Sequence, residues 1–266
     1  MNRTMTGGAV MILALLLLSS SGCVRKGGGG SEPGMASGSL TIIKKAGVLR
    51  IGTDPTFPPF ESKDLNTGGV VGFDADLMTA ICNEIGVKPE FIPSPFDAII
   101  AGLDSGKWDA IISAVTITPD RAKQVDFSDP YYLSAQAIIV RDDNTTIRGR
   151  DDLKGKTLGV QLGTTGEAEA KKIEGATVIK FDTGTTPFDD LLKGKVDAVI
   201  MDRPVAEKII KVKGHMKMVG EPLTSESYGI VVRKGDAALL NAINAALKKL
   251  KDSGQLAALE SRWIGK

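Results

Sequence analysis

The chain has 266 residues, of which 42% are hydrophobic and 24% charged, so it can bury a sizeable core as one large or two modest domains. Lysine and arginine number 33 against 32 for aspartate and glutamate, and this balance lacks the basic field on which nucleic-acid binding depends. One histidine and two cysteines are too few for a zinc cluster or a Ser-His-Asp triad. The composition predicts a globular protein with no nucleic-acid partner, no metal and no cofactor.

The N-terminus is predicted to be a processing signal. Arg3 precedes the apolar run from Ala9 to Leu18, which is too short to span a bilayer comfortably and suits the core of a signal peptide. Small residues then lead to Cys23 in the sequence SSSGC, which resembles a bacterial lipobox, although Ser20 stands where a leucine is usual. We expect residues 1–23 to be a lipoprotein signal peptide, with the lipid attached at Cys23. A plain secretory signal cut nearby is the alternative.

The next segment, residues 24–39, is rich in glycine and serine and is predicted to be a flexible tether. The folded part is expected to begin near Leu40, outside the cytoplasm. From there, short β-branched runs alternate with helical ones, which is the pattern of an α/β protein. The sequence predicts strands at VLRIGTD, DAIISAVT, TLGVQLGTT and VDAVIMD, and helices at FDADLMTAICNEIG, DAALLNAINAALKKLKDSG and the final QLAALESRWIGK.

The sequence also contains an internal repeat. GKWDAIIS (106–113) recurs as GKVDAVIM (194–201), and each copy follows a helix start of similar composition, PFDAII and PFDDLL. Two copies of one strand-and-helix unit predict two similar lobes. In open α/β sheets, ligands bind beyond the carboxyl ends of the strands, where helix N-termini and free backbone N–H groups point. We therefore expect a cleft lined by the polar residues that end these strands: Asp54, Ser113, Thr164, Thr165 and Asp202.

Five segments together resemble the extracellular solute-binding proteins of family 3, which deliver polar amino acids to ABC importers: LRIGTDPTFPPFE, GFDADLMTAICNEIG, DAIISAVTITPDRAKQVDFSDPYY, GKTLGVQLGTTGEA and VDAVIMDRP. The resemblance runs from about Leu40 to Lys266. It implies an α/β fold of the periplasmic-binding-protein type II-like class, a clamshell whose two α/β lobes are joined by a two-strand hinge and close around the ligand. Lobe 1 would comprise residues 40–134 and 227–266, and lobe 2 residues 135–226.

The same resemblance implies the partners and the location. The protein would bind an L-amino acid and dock on an ABC transporter permease as a monomer. It would lie in the periplasm or on the outer face of the cell membrane, and it would contact the membrane only through the lipid anchor.

The resemblance also assigns roles to individual residues. Arg121 would bind the ligand carboxylate through its bidentate guanidinium, completed by backbone N–H groups near Thr116 and Thr165. Asp202 would bind the α-ammonium, together with the Thr116 hydroxyl and the Ala114 carbonyl. An amino acid can be buried only if each of its charges meets an opposite charge, which is the chemistry these residues supply. An arginine in the first turn of a helix opposes the helix dipole, so Arg121 lacks an obvious structural role.

Recognition of the ligand side chain is expected from a second group of residues. Phe57 and Phe96 match the positions where the family holds the side chain between aromatic faces, and aromatic core packing is the alternative for both. Asp54 and Glu61 flank the PTFPPF turn, with Gln161 facing them from the other lobe. An acidic wall with aromatic faces suits a guanidinium or ammonium. We therefore predict arginine first, then lysine, with a neutral ligand, glutamine, as the alternative.

Two further functions fit single segments of the chain. Cyclohexadienyl dehydratases resemble these binders, and Glu167 falls where such an enzyme has its acid, although plain binders also carry a glutamate there as the first-turn acid of a helix. The segment GRDDLKGKT (149–157) resembles a P-loop, but it has five residues between its first two glycines instead of four and precedes a strand rather than following one. We therefore predict a binding protein and not an enzyme.

Overall fold

The computed structural model describes residues 38–265. The predicted signal peptide, the lipid site at Cys23 and residues 24–37 of the predicted tether lie outside this range. Helix α1 (Gly38–Ala46) begins before the expected start at Leu40. The hydroxyl of Ser39 donates a hydrogen bond to the Asp236 carboxylate at 2.6 Å, which fixes the beginning of this helix to the body of the protein.

The remaining elements alternate between strands and helices, as predicted. The helices are α2 (Phe73–Ile85), α3 (Ile99–Asp104), α4 (Pro119–Gln124), α5 (Thr165–Lys171), α6 (Thr186–Leu192), α7 (Arg203–Lys213), α8 (Ala237–Asp252) and α9 (Gln255–Ile264). The strands are β1 (Val48–Thr53), β2 (Thr56–Phe57), β3 (Glu61–Lys63), β4 (Val70–Val71), β5 (Lys88–Pro93), β6 (Ala110–Ile111), β7 (Val125–Phe127), β8 (Tyr132–Ser134), β9 (Gln136–Arg141), β10 (Thr157–Gln161), β11 (Thr177–Phe181), β12 (Ala198–Asp202), β13 (Met216–Val219), β14 (Glu226–Tyr228) and β15 (Val231–Arg233).

Two five-stranded sheets have the same topology. Their strand orders are β5-β1-β6-β15-β7 and β11-β10-β12-β9-β13. In each sheet the first three strands are parallel, and the fourth runs antiparallel to both of its neighbours. The internal repeat occupies the third strand of both sheets, β6 and β12, and its glycines Gly106 and Gly194 both have a positive φ in the turn before that strand. The structure therefore contains the two similar lobes that the repeat predicts.

A two-stranded sheet joins the lobes. Strands β8 and β14 pair antiparallel, with Ser134 opposite Glu226. β8 continues after one residue into β9 of the second sheet, while β14 leads back to β15 of the first. All strands of the second sheet fall between Gln136 and Val219. The lobe limits at residues 134 and 226 stay a prediction.

The largest apolar core packs α2 against α8 and α9. Helix α8 buries Leu239, Ile243 and Leu247 on one face, as its sequence pattern predicts. Each such side chain stabilises the fold by roughly 1.5–3 kcal/mol when it is fully buried. Within residues 38–265, no helix combines the length and apolar character needed to cross a bilayer.

One predicted strand is much shorter than expected. The run DAIISAVT forms only β6, Ala110–Ile111, before the chain leaves the sheet. Three residues beyond its end, Ala114 has a φ of 46°, in the left-handed region that residues with a Cβ rarely adopt and that is incompatible with a continuing strand. The Asp74 carboxylate of α2 accepts a hydrogen bond from the Ala114 N–H at 2.8 Å and holds this conformation.

Candidate binding site

A small cavity lies between the lobes, beside the carboxyl ends of β1, β10 and β12. Thr164 and most of the predicted site residues line its wall together: Asp54, Phe57, Phe96, Ala114, Thr116, Arg121, Gln161, Thr165 and Asp202.

Glu61 and Ser113 do not line this cavity. Glu61 is fully buried behind the wall, where its Oε1 accepts a hydrogen bond from the Ser113 hydroxyl at 2.7 Å. Ser113 in turn accepts the Asp54 backbone N–H at 3.0 Å. Burial, reinforced by the negative charge of Asp74, raises the pKa of Glu61 well above its ordinary value. Glu61 thus lies behind Asp54 and not beside it on the cavity wall, and the acidic wall of Asp54 and Glu61 stays a prediction.

Asp202 ends β12 with a buried carboxylate on the cavity wall. Its Oδ2 accepts a hydrogen bond from the Gln136 amide at 2.7 Å. Its Oδ1 accepts from the Ser134 hydroxyl at 3.2 Å and from the Tyr228 hydroxyl. Burial, with the nearby charge of Glu226 as a second cause, raises the pKa of Asp202 to about 6, while these hydrogen bonds favour the ionised form. The carboxylate is thus a fixed acceptor in a site where a cation would relieve its desolvation.

Arg121 lies in the first turn of α4, whose N-cap Thr118 accepts the Arg121 backbone N–H. Its guanidinium donates to the Thr116 carbonyl at 2.9 Å and to the Gly163 carbonyl of the other lobe at 3.0 Å. The guanidinium carbon also lies 5.2 Å from the centre of the Phe96 ring. Burial lowers the pKa of Arg121, opposed by the charges of Glu226 and Asp202, yet an arginine stays protonated at any physiological pH. Arg121 is therefore a fixed cation in the cavity lining, and its charge is opposite to that of Asp202.

Two further hydrogen bonds connect the lobes beside the aromatic part of the cavity. The Gln161 amide donates to the Asp54 carboxylate at 2.6 Å, and the Gly184 N–H donates to the Thr56 hydroxyl at 3.0 Å. Burial raises the pKa of Asp54, although its hydrogen bonds from Thr56 and Gln161 oppose this shift. The amide oxygen of Gln161 has no hydrogen-bond partner among residues 38–265 and is free to accept one from a ligand.

Glu226 belongs to the same polar cluster and was not among the predicted residues. Its Oε2 accepts hydrogen bonds from the hydroxyls of Thr116 at 2.9 Å and Thr165 at 3.0 Å. Gln136, also unpredicted, donates to Asp202 and to the Thr165 hydroxyl. The available signal was a carboxylate at residue 226, the predicted end of lobe 2, where a surface residue is the ordinary expectation.

Glu167 does not line the cavity. Its carboxylate accepts the Gly163 N–H at 2.7 Å and pairs with Lys171 at 2.7 Å. Although burial opposes ionisation, the hydrogen bonds from Lys171 and Gly163 lower the pKa of Glu167 below its ordinary value. Glu167 therefore holds the loop before α5 as an ionised group.

Comparison with known proteins identifies a family and several relatives. Residues 49–266 match the family described as bacterial extracellular solute-binding proteins, family 3. The L-cystine-binding protein TcyJ of Escherichia coli K12 is 35% identical over 231 residues, which cover 86% of each chain. An ancestral arginine-binding protein is 49% identical. Its glutamine-bound structure has a TM-score of 0.80 over 83% of this chain and 99% of that one, and its arginine-bound structure 0.79 over 82% and 99%.

A third neighbour is the ancestral amino-acid-binding protein AncCDT-1, a precursor of cyclohexadienyl dehydratase. It is 42% identical, with a TM-score of 0.80 over 85% of this chain and 99% of that chain. The family match and these structural likenesses confirm the two-lobed clamshell and the resemblance predicted from the sequence.

Proposed function

Because the chain belongs to family 3 of the bacterial extracellular solute-binding proteins, we propose that it binds a basic L-amino acid, arginine first and then lysine, and presents it to an ABC importer. The observation that carries the proposal is the pair of opposite fixed charges, Arg121 and Asp202, that line one cavity. An amino acid is the small molecule whose carboxylate and ammonium match that pair. The lobes would close around it and expel water, and the closed form would be the one that docks on the permease.

Arg121 keeps donors for the ligand carboxylate. A guanidinium has five N–H groups, and two of them serve the carbonyls of Thr116 and Gly163. The others can bind the carboxylate, with the backbone N–H groups of Thr116 and Thr165 beside them. Asp202, the Thr116 hydroxyl and the Ala114 carbonyl would accept the three protons of the ammonium. Each polar group of the amino-acid core then has a partner.

The ligand side chain would extend toward Asp54, Gln161 and the two phenylalanines. Asp54 supplies a negative charge, and the free amide oxygen of Gln161 supplies an acceptor for an N–H donor. Phe57 and Phe96 offer flat faces on which a guanidinium can stack. These features support arginine, then lysine.

Glutamine is the second candidate. Because Glu61 does not line the cavity, Asp54 is the one predicted carboxylate at the end that would hold the ligand side chain. This end is therefore less acidic than the sequence suggests. The likeness to an ancestral arginine-binding protein, solved once with arginine and once with glutamine, supports glutamine as the second candidate ligand.

A thermal melt in the presence of each of the twenty amino acids would test the proposal. We expect arginine to raise the melting temperature most, followed by lysine, because a ligand that binds only the folded state stabilises it by mass action. A larger shift with glutamine would favour the neutral alternative. The absence of a shift with every amino acid would overturn the proposed function.

The proposal excludes an enzyme of the cyclohexadienyl dehydratase type. A general acid works best when its pKa lies near the working pH, whereas hydrogen bonds lower the pKa of Glu167 and Lys171 holds it ionised. Incubation with prephenate or arogenate should therefore yield no product. Turnover that disappears in Glu167→Gln would reverse this conclusion.

A further inference from the structure

Glu226 has an unusual position in this site, because it accepts hydrogen bonds from hydroxyl groups of both lobes. Its Oε2 accepts from Thr116, which follows β6, and from Thr165, which begins α5. The other carboxylate oxygen accepts from the Thr224 hydroxyl at 2.9 Å. Glu226 itself is buried and begins the hinge strand β14. The cluster can form only when the lobes are together, since its hydroxyls come from opposite sides of the cavity.

These contacts determine whether each hydroxyl can donate or accept a further hydrogen bond. A threonine hydroxyl has a single proton and two lone pairs. The Thr116 proton is directed to Glu226, and a carboxylate can accept but never donate. Toward the cavity, Thr116 can therefore offer only lone pairs. Asp202 also offers only lone pairs, because its carboxylate accepts every hydrogen bond it makes.

We propose that Glu226 is a positioning residue that sets the Thr116 hydroxyl as an acceptor, so that the closed site selects an α-ammonium over an α-hydroxyl group. The inference rests on the proposed function and deepens it by naming the chemical class that the site accepts. An ammonium has three donors and no lone pair, which suits a wall of acceptors. An α-hydroxyl has one donor and two lone pairs, and those lone pairs would face other lone pairs without a proton between them.

The negative charge of Glu226 could favour a cation without any role for the hydroxyl, so the test must separate charge from hydrogen bonding. Glu226→Gln removes the charge, but its amide oxygen can still accept both hydroxyls while its NH₂ group donates to Thr224. Glu226→Met has a similar length and can accept neither. Titration calorimetry would measure the binding of L-arginine and L-glutamine, each beside its 2-hydroxy analogue, to the wild type and both variants.

We expect the wild type to prefer each amino acid strongly over its 2-hydroxy analogue. Glu226→Met should reduce that ratio of dissociation constants at least tenfold, because the freed Thr116 proton can then be donated to the ligand hydroxyl. Glu226→Gln should retain most of the ratio. An equal loss in both variants would assign the effect to charge and overturn the inference, as would an unchanged ratio in Glu226→Met.

A second pair of variants decides the matter if Glu226→Met fails to fold. Thr116→Val removes the hydroxyl, whereas Thr116→Ser keeps it. We expect the preference for the ammonium to fall at least tenfold in the first and to persist in the second, and an unchanged ratio in Thr116→Val would overturn the inference. A wild type that binds neither amino acid would instead defeat the proposed function, and this inference with it.

Discussion

Arg121 donates a hydrogen bond from Nη2 to the carbonyl oxygen of Gly163 at 3.0 Å, and so the cation proposed to bind the ligand also joins the two lobes. Its other terminal nitrogen donates to Thr116 on its own side of the cavity. A side chain that contacts both walls can couple ligand binding to closure, because the ligand would bind the same guanidinium that the second lobe contacts. A ligand that binds this guanidinium therefore shifts the equilibrium between the open and the closed protein.

Arg121→Ala should abolish amino-acid binding while the fold stays intact. Truncating one partner of a buried charge pair costs roughly 3–5 kcal/mol, which corresponds to about two to four decades in affinity. Arg121→Lys is the matched control, since it keeps the charge without the bidentate geometry and should lose less. Titration calorimetry measures both, and a loss under tenfold in Arg121→Ala would contradict the site assignment.

Asp54→Asn should weaken arginine far more than glutamine, because a buried guanidinium depends on its counter-charge whereas a neutral amide needs only acceptors. Glu61→Gln is the control. It changes a carboxyl group that lies behind the wall and does not line the cavity, so the ratio of arginine to glutamine affinity should stay within about threefold of the wild type, about 0.7 kcal/mol. Paired titrations of the two ligands measure both ratios. A larger change in Glu61→Gln than in Asp54→Asn would contradict this prediction and support an acidic wall that includes Glu61.

Amino-acid affinity should fall as the pH drops below about 6. The pKa of Asp202 is raised to about 6, so its carboxylate is charged above that pH and becomes neutral below it. A bound ammonium favours the charged form, hence each pH unit below the transition should cost up to about tenfold in affinity. In Asp202→Asn the affinity should be low at every pH in this range and should not depend on pH. Titrations between pH 5 and 8 test the expectation, and a flat wild-type profile would remove Asp202 from the ammonium subsite.

Gly184→Ala should weaken binding at least tenfold, about 1.4 kcal/mol, by obstructing closure. A Cβ at Gly184 would lie 2.8 Å from the Phe57 ring and 2.9 Å from the Thr56 carbonyl oxygen, both on the opposite lobe. Gly149→Ala is the control in the second lobe, because its Cβ would meet no atom within 4 Å. We expect both ligand-free variants to melt like the wild type, and an unchanged affinity in Gly184→Ala would show that closure does not require this contact.

Cys23→Ser should release the protein from the membrane or leave its precursor unprocessed. The prediction follows from the apolar run, the Gly22-Cys23 pair and the glycine-rich tether in the sequence. Stable anchoring needs more than one acyl chain, and a bacterial lipoprotein cysteine carries several. Cell fractionation and the mobility of the mature protein measure the effect. Wild-type protein found in the soluble fraction would support the plain secretory signal instead.

The sequence by itself determined the fold class and two of the carboxylates that line the cavity. The repeated strand units predict two lobes, and the polar residues that end their strands include Asp54 and Asp202 on the observed wall. This prediction is possible because the carboxyl ends of parallel strands meet at one edge of a sheet. The resemblance to the family then supplied Arg121, which lies in a short helix and not at a strand end.

Only the tertiary structure decided which of the other carboxylates face the cavity. Glu61 follows the PTFPPF turn, but it is buried behind the cavity wall, where burial and the charge of Asp74 raise its pKa and Ser113 donates to it. Glu226 lies far from Thr116 and Thr165 in sequence, yet it binds both hydroxyls. Whether a carboxylate keeps its charge depends on the groups that replace its water, and those groups come from distant parts of the chain. No local pattern around Glu61 or Glu226 contains that information.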